Sequence, residues 1–200
     1  MPSSTTKRSD PATRRAQLLD AADAVFTIHG VNAPLELVVQ HAGVGRATLY
    51  RQFPDRHAIL LALLQRSAQR TQDRAQSLKD RPDAFFALLE YQAERIVRSP
   101  AVSDYWRITS LKDPRFAPAR QQIRDAFAPT LARAQAHGLV RPDVQIRDLS
   151  LLSGMLGAAL RGPTDAERRR LVRQALDIVR RGLRPETEAD ADTGTNRRAD

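Results

Sequence analysis

The chain has 200 residues, enough for a substantial core in one medium domain or in a small domain joined to a larger one. Hydrophobic residues make up 42% and aromatics 5%, and cysteine is absent, which excludes a disulfide framework and any cysteine-ligated metal site. The formal charge of +9, mostly arginine, suits a polyanionic partner without proving one, because basic proteins also bind nucleic acid weakly and without specificity.

Ala, Leu, Arg and Gln abound and β-branched alternation is scarce, so the expected fold is all-α. Residues 1–9 are small, polar and aperiodic and read as disordered; Lys7 and Arg8 belong either to a solvated tail or to a basic arm that follows the minor groove. The start lacks the apolar core of a secretory signal and no later segment approaches a bilayer span, so the expected setting is the cytoplasm, with no membrane partner. Asp10 and Pro11 then form a helix start, N-cap followed by first-turn proline. Helix 1 carries Leu18, Ala22, Val25, Phe26 and His29 on one face, with His29 expected to pack at the helix end, and stops at Gly30.

Pro34 opens a second helix in which Leu35, Val38, Val39 and Ala42 recur at helical spacing. Gly43 offers the positive φ that a tight turn needs, and Val44 plugs back into a small core. Arg46 to Gln52 forms a third helix that keeps Leu49 inward and turns its polar residues outward. By itself this is an ordinary helical corner. It is also the arrangement in which a helix–turn–helix presents its second helix to the major groove.

The run from Ala42 to Leu60, AGVGRATLYRQFPDRHAIL, resembles the DNA-binding signature of the TetR family of transcriptional repressors. The resemblance begins near Arg14 and fades beyond Leu64. It implies that Gly45 stands where the family has a capping Ser or Thr, so that only the backbone N–H remains for a phosphate. Arg46 matches a position that reaches bases, Ala47 one that lies against the groove floor, and Thr48 one that meets a base or a phosphate. Tyr50 matches a phosphate-binding tyrosine, Arg51 and Gln52 support from the backbone side, and Arg56 matches a phosphate-gripping lysine. Arg51 and Arg56 are equally consistent with solvated surface charge. Val39 stands where the family has Ala, which calls for a slight change in helix packing.

Asp55 is expected to cap a fourth helix whose Ile59, Leu60, Leu63 and Leu64 tie it to the head. From Gln65 to Lys79 the sequence turns polar, as in the exposed continuation of a connecting helix. The expected organisation is a basic arm over 1–9, a DNA-binding head over 10–64, and helix 4 continuing to about 79. An effector-binding and dimerisation domain over 80–184 and a disordered tail over 185–200 follow, with about nine helices in all.

In the second part, Asp83 to Arg98 is amphipathic and Ser99-Pro100 stops it. A short segment, Tyr105 to Leu111, holds the single tryptophan. A helix follows from about Ala119 to His137, with Pro129 inside it predicting a kink or a start delayed to Pro129 itself. Asp148 to Leu160 is apolar nearly all round, so it must be buried on several sides, and Ala166 to Leu183 closes the fold. Arg168 to Arg170, Arg180 and Arg181 are expected as a solvated rim.

The family resemblance implies an effector cavity in this second part. Phe85, Phe86, Leu89, Tyr105, Trp106, Ile108, Phe116, Phe127 and Met155 either line it or form plain core, with Glu90 or Arg107 as a placed polar group. It also implies a homodimer built on the last two helices, through Leu152, Leu156, Leu160, Leu171, Ala175, Ile178 and Val179; otherwise these residues finish a monomer core. The implied function is a homodimeric repressor of double-stranded operator DNA, released by a small-molecule effector and using no cofactor. Competing possibilities are an effector-independent regulator and a nonspecific architectural protein. An enzyme is disfavoured, since His29, His41, His57 and His137 are scattered and Glu90 and Glu94 lack a histidine at metal-ligand spacing.

Overall fold

A computed structural model describes residues 10–109 and 111–185. The expectations for the basic arm (1–9) and for the tail beyond Pro185 lie outside the described residues. The described residues form nine α-helices and no strand: α1 Pro11–His29, α2 Leu35–Ala42, α3 Arg46–Gln52, α4 Arg56–Ser77 and α5 Ala84–Arg98 lead. Then come α6 Pro100–Thr109, α7 Ala117–Ala136, α8 Leu149–Gly157 and α9 Asp165–Gly182. Single 3-10 turns precede α7 and α8 and follow α8. Among the described residues no helix is long and apolar enough to cross a membrane.

Helices α1 to α4 close around one core, in which Leu18, Phe26, Val38, Leu49, Phe53 and Ile59 are almost wholly buried. Pro11 opens α1 and Gly30 ends it at φ 81, as the sequence predicts. His29 does not pack there: it is exposed, because the last turn of α1 aims its apolar side through Val25 and Phe26 instead. Asp55 caps α4 by accepting the Ala58 N–H at 2.7 Å. A second core joins α5, α7, α8 and α9 through Phe85, Leu88, Leu89, Phe127, Leu131, Leu156 and Val179.

The latter half of α4 is not an exposed spacer. Ser67, Ala68, Thr71 and Ala75 are buried on one face, and α7 lies against it. The polar composition disguises a stripe of small residues, and the buried Thr71 hydroxyl is satisfied within the helix, its Oγ1 donating to the Ser67 carbonyl at 2.9 Å. Gln122 of α7 donates to Gln69 and Gln72 of α4 at 3.0 and 2.7 Å along the rim of this seam.

Three other elements differ from the sequence expectation. The tryptophan segment is a full helix, because Pro100 starts α6 directly after the break at Ser99. Helix α7 begins at Ala117, with Pro118 in its first turn, and runs on through Pro129. The apolar stretch from Asp148 is an α-helix only to Gly157 and tightens into a 3-10 turn over Ala158–Arg161. Gly162 follows because a Cβ there would sit 2.8 Å from the Arg168 backbone nitrogen. Arg168 is accordingly no rim residue: its Nη1 donates to the Gly162 carbonyl at 3.0 Å. Arg180 likewise pairs with Glu90 at 2.5 Å and stacks over the Phe86 ring.

The close α4–α7 seam predicts that Ala68→Leu, which forces three extra carbons into a fully buried position, lowers stability by about 1–3 kcal/mol. Chemical denaturation checks it; an unchanged midpoint would show the seam to be loose.

Candidate DNA-binding surface and a basic cavity

The turn between α2 and α3 is set by its backbone. Gly43 lies in the left-handed region at φ 62, and its N–H donates to the carbonyls of Gln40 and Val39. Val44 donates its N–H to the Val39 carbonyl at 3.3 Å and leans on the head core. Gly45 takes the extended N-cap conformation, and its carbonyl accepts the Thr48 N–H at 2.9 Å. Fully buried Leu49 then fixes the rotation of α3. That rotation leaves Gly45, Arg46, Ala47, Tyr50 and Arg51 exposed, with Thr48 and Gln52 half-buried beside them.

Electrostatics sort these side chains further. Arg46 is paired with Glu36 at the start of α2. The carboxyl of Glu36 is held below its ordinary range, first by its own backbone N–H and then by the charge of Arg46, with desolvation opposing. Arg56 does not point freely outward: Nη1 donates to the Val31 carbonyl and the guanidinium lies over the Phe26 ring. It fastens the α1–α2 loop. Arg15 performs the same service at the C-terminal end of α3, lying 4.3 Å over Phe53 and donating to the Gln52 carbonyl at 3.3 Å.

Behind the head, α4, α5, α6, α7 and α8 surround a cavity of about 470 Å³. That lies within the roughly 300–1,000 Å³ of small-molecule sites. Its walls are mainly apolar, with Leu63, Leu64, Ile96, Trp106, Ile123 and Leu149 prominent. Trp106 is anchored to α4 by its Nε1, which donates to the Leu60 carbonyl at 3.2 Å. The charged lining is one-sided: Arg66, Arg95, Arg107, Arg120, Arg124 and Arg147 face a single acid, Asp23. Arg66 reaches from α4 to Asp20 at 2.5 Å and Asp23 at 3.3 Å, both on α1. Asp23 also accepts from Ser99 Oγ at 3.0 Å, so the cavity wall and the head share one polar network.

A second link runs from the start of α4. His57 Nδ1 lies 3.2 Å from the Tyr105 hydroxyl and Nε2 lies 3.1 Å from Asp113. The Arg115 side chain and its backbone N–H hold the Asp113 carboxyl below its ordinary range.

Residues 18–63 match the family model for the DNA-binding region of bacterial regulatory proteins of the tetR family, and residues 83–185 match that for an SbtR-like transcriptional regulator C-terminal domain. The chain belongs to the TetR family of transcriptional regulators. A TetR regulator from Streptomyces coelicolor is 29% identical, with a TM-score of 0.64 over 86% of this chain and 99% of its own. One from Mycobacterium vanbaalenii is 26% identical, with a TM-score of 0.63 over 89% and 99%. The HTH-type transcriptional activator FasR of Mycolicibacterium smegmatis is 32% identical over 93 residues, 40% of this chain and 42% of that protein. The chain thus spans less than half the length of that relative.

In this TetR regulator the aromatic residues singled out from sequence do not converge. Phe85, Phe86 and Phe127 stack edge-on in the second core, with Leu89 beside them. Phe116 is buried against Ala68 and Ala119. Tyr105 meets His57, Ile108 is exposed, and Met155 faces outward on α8. Of these, Trp106 lines the cavity, as does the polar candidate Arg107, whereas Glu90 binds Arg180. Helical spacing marks an inward face without distinguishing core from cavity. The missed residues carried one usable signal: Arg120, Ile123 and Arg124 share a face of α7, an unusual place for two arginines.

The Arg66 network predicts energetic coupling between the cavity wall and the head. A double-mutant cycle of Arg66→Gln with Asp23→Asn, read by denaturation, is expected to give a coupling of about 0.5–3 kcal/mol. Additive losses would mean that the contact is incidental.

Proposed function

We propose that the protein is a cytoplasmic homodimeric repressor that binds a palindromic operator through α3 and releases it when a small molecule occupies the cavity. The observation that carries DNA reading is the rotation of α3. With Leu49 locked inward, Arg46, Ala47 and Thr48 occupy the first turn, nearest the base edges, and Tyr50 and Arg51 flank them. Arg46, Ala47 and Thr48 are the readers; Tyr50, Arg51, Gln52 and the Gly45 N–H meet phosphates and set register. Arg56 contributes mainly by holding the loop before α2, as its two internal contacts indicate.

Dimerisation is supported by an uncovered apolar face. Leu151 and Met155 on α8 are 65% and 39% exposed, and Ile178 on α9 is 57% exposed. Large apolar side chains left exposed on two helices that pack together offer an interaction surface. Leu171 and Ala175 are half-buried on the stripe with Ile178, while Leu152, Leu156 and Val179 point into the chain's own core and Leu160 lines the cavity. Two heads carried on such a dimer read half-sites about 34–36 Å apart. Effector entry acts on that spacing through Arg66, which lies in the cavity wall and holds α1.

Repression follows from occupancy alone, because a dimer seated on a promoter obstructs transcription without a further contact surface. The relative named as an activator keeps activation as the second reading. In vitro transcription from a template carrying the selected operator separates them: repression lowers the transcript, activation raises it.

DNA selected from genomic fragments by the purified protein tests the reading helix. Tyr50→Phe is expected to weaken binding alike on all sequences. Arg46→Ala is expected to cost about 1–3 kcal/mol and to relax base preference at one position per half-site. Uniform loss in Arg46→Ala would remove it from the readers. Glu36→Gln frees Arg46 from its partner and is expected to strengthen binding a few-fold at neutral pH, where Glu36 is ionised; weaker binding would show that the pair positions Arg46 for DNA.

A further inference from the structure

The cavity's charge narrows what it can hold. Across the whole chain 32 basic residues stand against 23 acidic ones, whereas the cavity lining has six arginines and one aspartate. That aspartate, Asp23, is already shared between Arg66 and Ser99. Arg107 is neutralised by Asp104 at 2.8 Å. Among the described residues Arg95, Arg120, Arg124 and Arg147 have no ion-pair partner. Arg124 donates only to the neutral Gln121, and Arg95 lies over the Tyr91 ring.

Arg120 is the decisive residue. Its Nη1 is cut off from solvent and has no hydrogen-bond partner, a costly state for a permanently charged group. It lies one turn from Arg124, with Ile123 between them, so two cations and an apolar side chain face the same space. Trp106, Leu63, Leu64 and Ile96 form the greasy remainder.

We infer that the effector is an anionic amphiphile, with a carboxylate or phosphate held by Arg120 and neighbouring arginines and an apolar body lying along Trp106 and Ile123. This rests on the cavity being the effector site. The guanidinium fork suits either oxyanion. A neutral ligand of the same shape leaves Arg120 unpaired, and a cationic one meets its repulsion, so charge is the basis of selection.

Trp106, the single tryptophan, reports directly from the cavity wall. The full-length protein is titrated, below micelle-forming concentrations, with dodecanoate, dodecyl phosphate, dodecanol and dodecylamine, following its fluorescence and the release of selected operator DNA. Dodecanoate or dodecyl phosphate, or both, is expected to bind saturably, at least about tenfold tighter than the alcohol, and to release DNA; which of the two binds better identifies the headgroup. Arg120→Gln is expected to abolish most of that preference without lowering thermal stability, since it removes a buried unpaired charge. Arg147→Gln, at an exposed position, provides a second variant and is expected to reduce the preference in part. Equal or tighter binding of the alcohol or amine, with release of DNA, overturns the anionic class and leaves the effector site standing. If no probe perturbs Trp106, both the class and the effector site fail. Preference for anions that survives in both variants overturns the assignment to these arginines.

Discussion

Helix α4 belongs to two cores at once, and the rest of the structure depends on that. Its first turns bury Ile59, Leu60 and Leu63 in the head, and its last turns bury Ala75 in the second core. Between them lie Ser67, Ala68 and Thr71, small enough for α7 to approach closely. Interdigitated packing of this kind resists gradual deformation, so a displacement at one end of α4 is carried to the other. Arg66 sits at the crossover. It touches both the cavity and α1, through Asp20 and Asp23, and Ser99 of the same wall joins it at Asp23.

The geometry of α2, the turn and α3 was largely legible in the sequence. Leu35, Val38 and Leu49 keep their helical spacing, Gly43 needs its positive φ, and Asp55 caps the next helix, each for a local reason that a sequence displays. The second part was less legible because its decisive features are not local. Phe85, Phe86 and Phe127 look like ligand-binding aromatics in one dimension, yet they meet one another in a packed core. The cavity is instead framed by arginines and serines drawn from five helices, whose convergence appears only after those helices pack. Polar composition along α4 likewise concealed a buried face, since periodicity scales do not register Ser67 and Thr71 as core residues.

Two conflicts between local chemistry and stability stand out. A buried, unpartnered guanidinium nitrogen on Arg120 and an apolar surface left open around Leu151 and Ile178 are both unfavourable in an isolated chain. Under the proposals made above, each would be relieved by a partner, an oxyanion in one case and a second copy of the chain in the other. Sites that break the rules of economical folding are where function is expected to lie. On the proposed function the fold carries three distinct surfaces, for DNA, for a ligand and for itself, with α4 linking the first two and α8 bordering the last two.

The most direct test of this account is footprinting of purified protein on fragments it selects from genomic DNA at physiological salt. A dimeric reader predicts a two-fold symmetric footprint, with half-sites about one helical turn or a multiple of it apart and far tighter than binding to random DNA. Diffuse protection of all fragments alike, with affinity that simply follows salt, would contradict it and leave the exposed face of α3 as an unspecific basic surface.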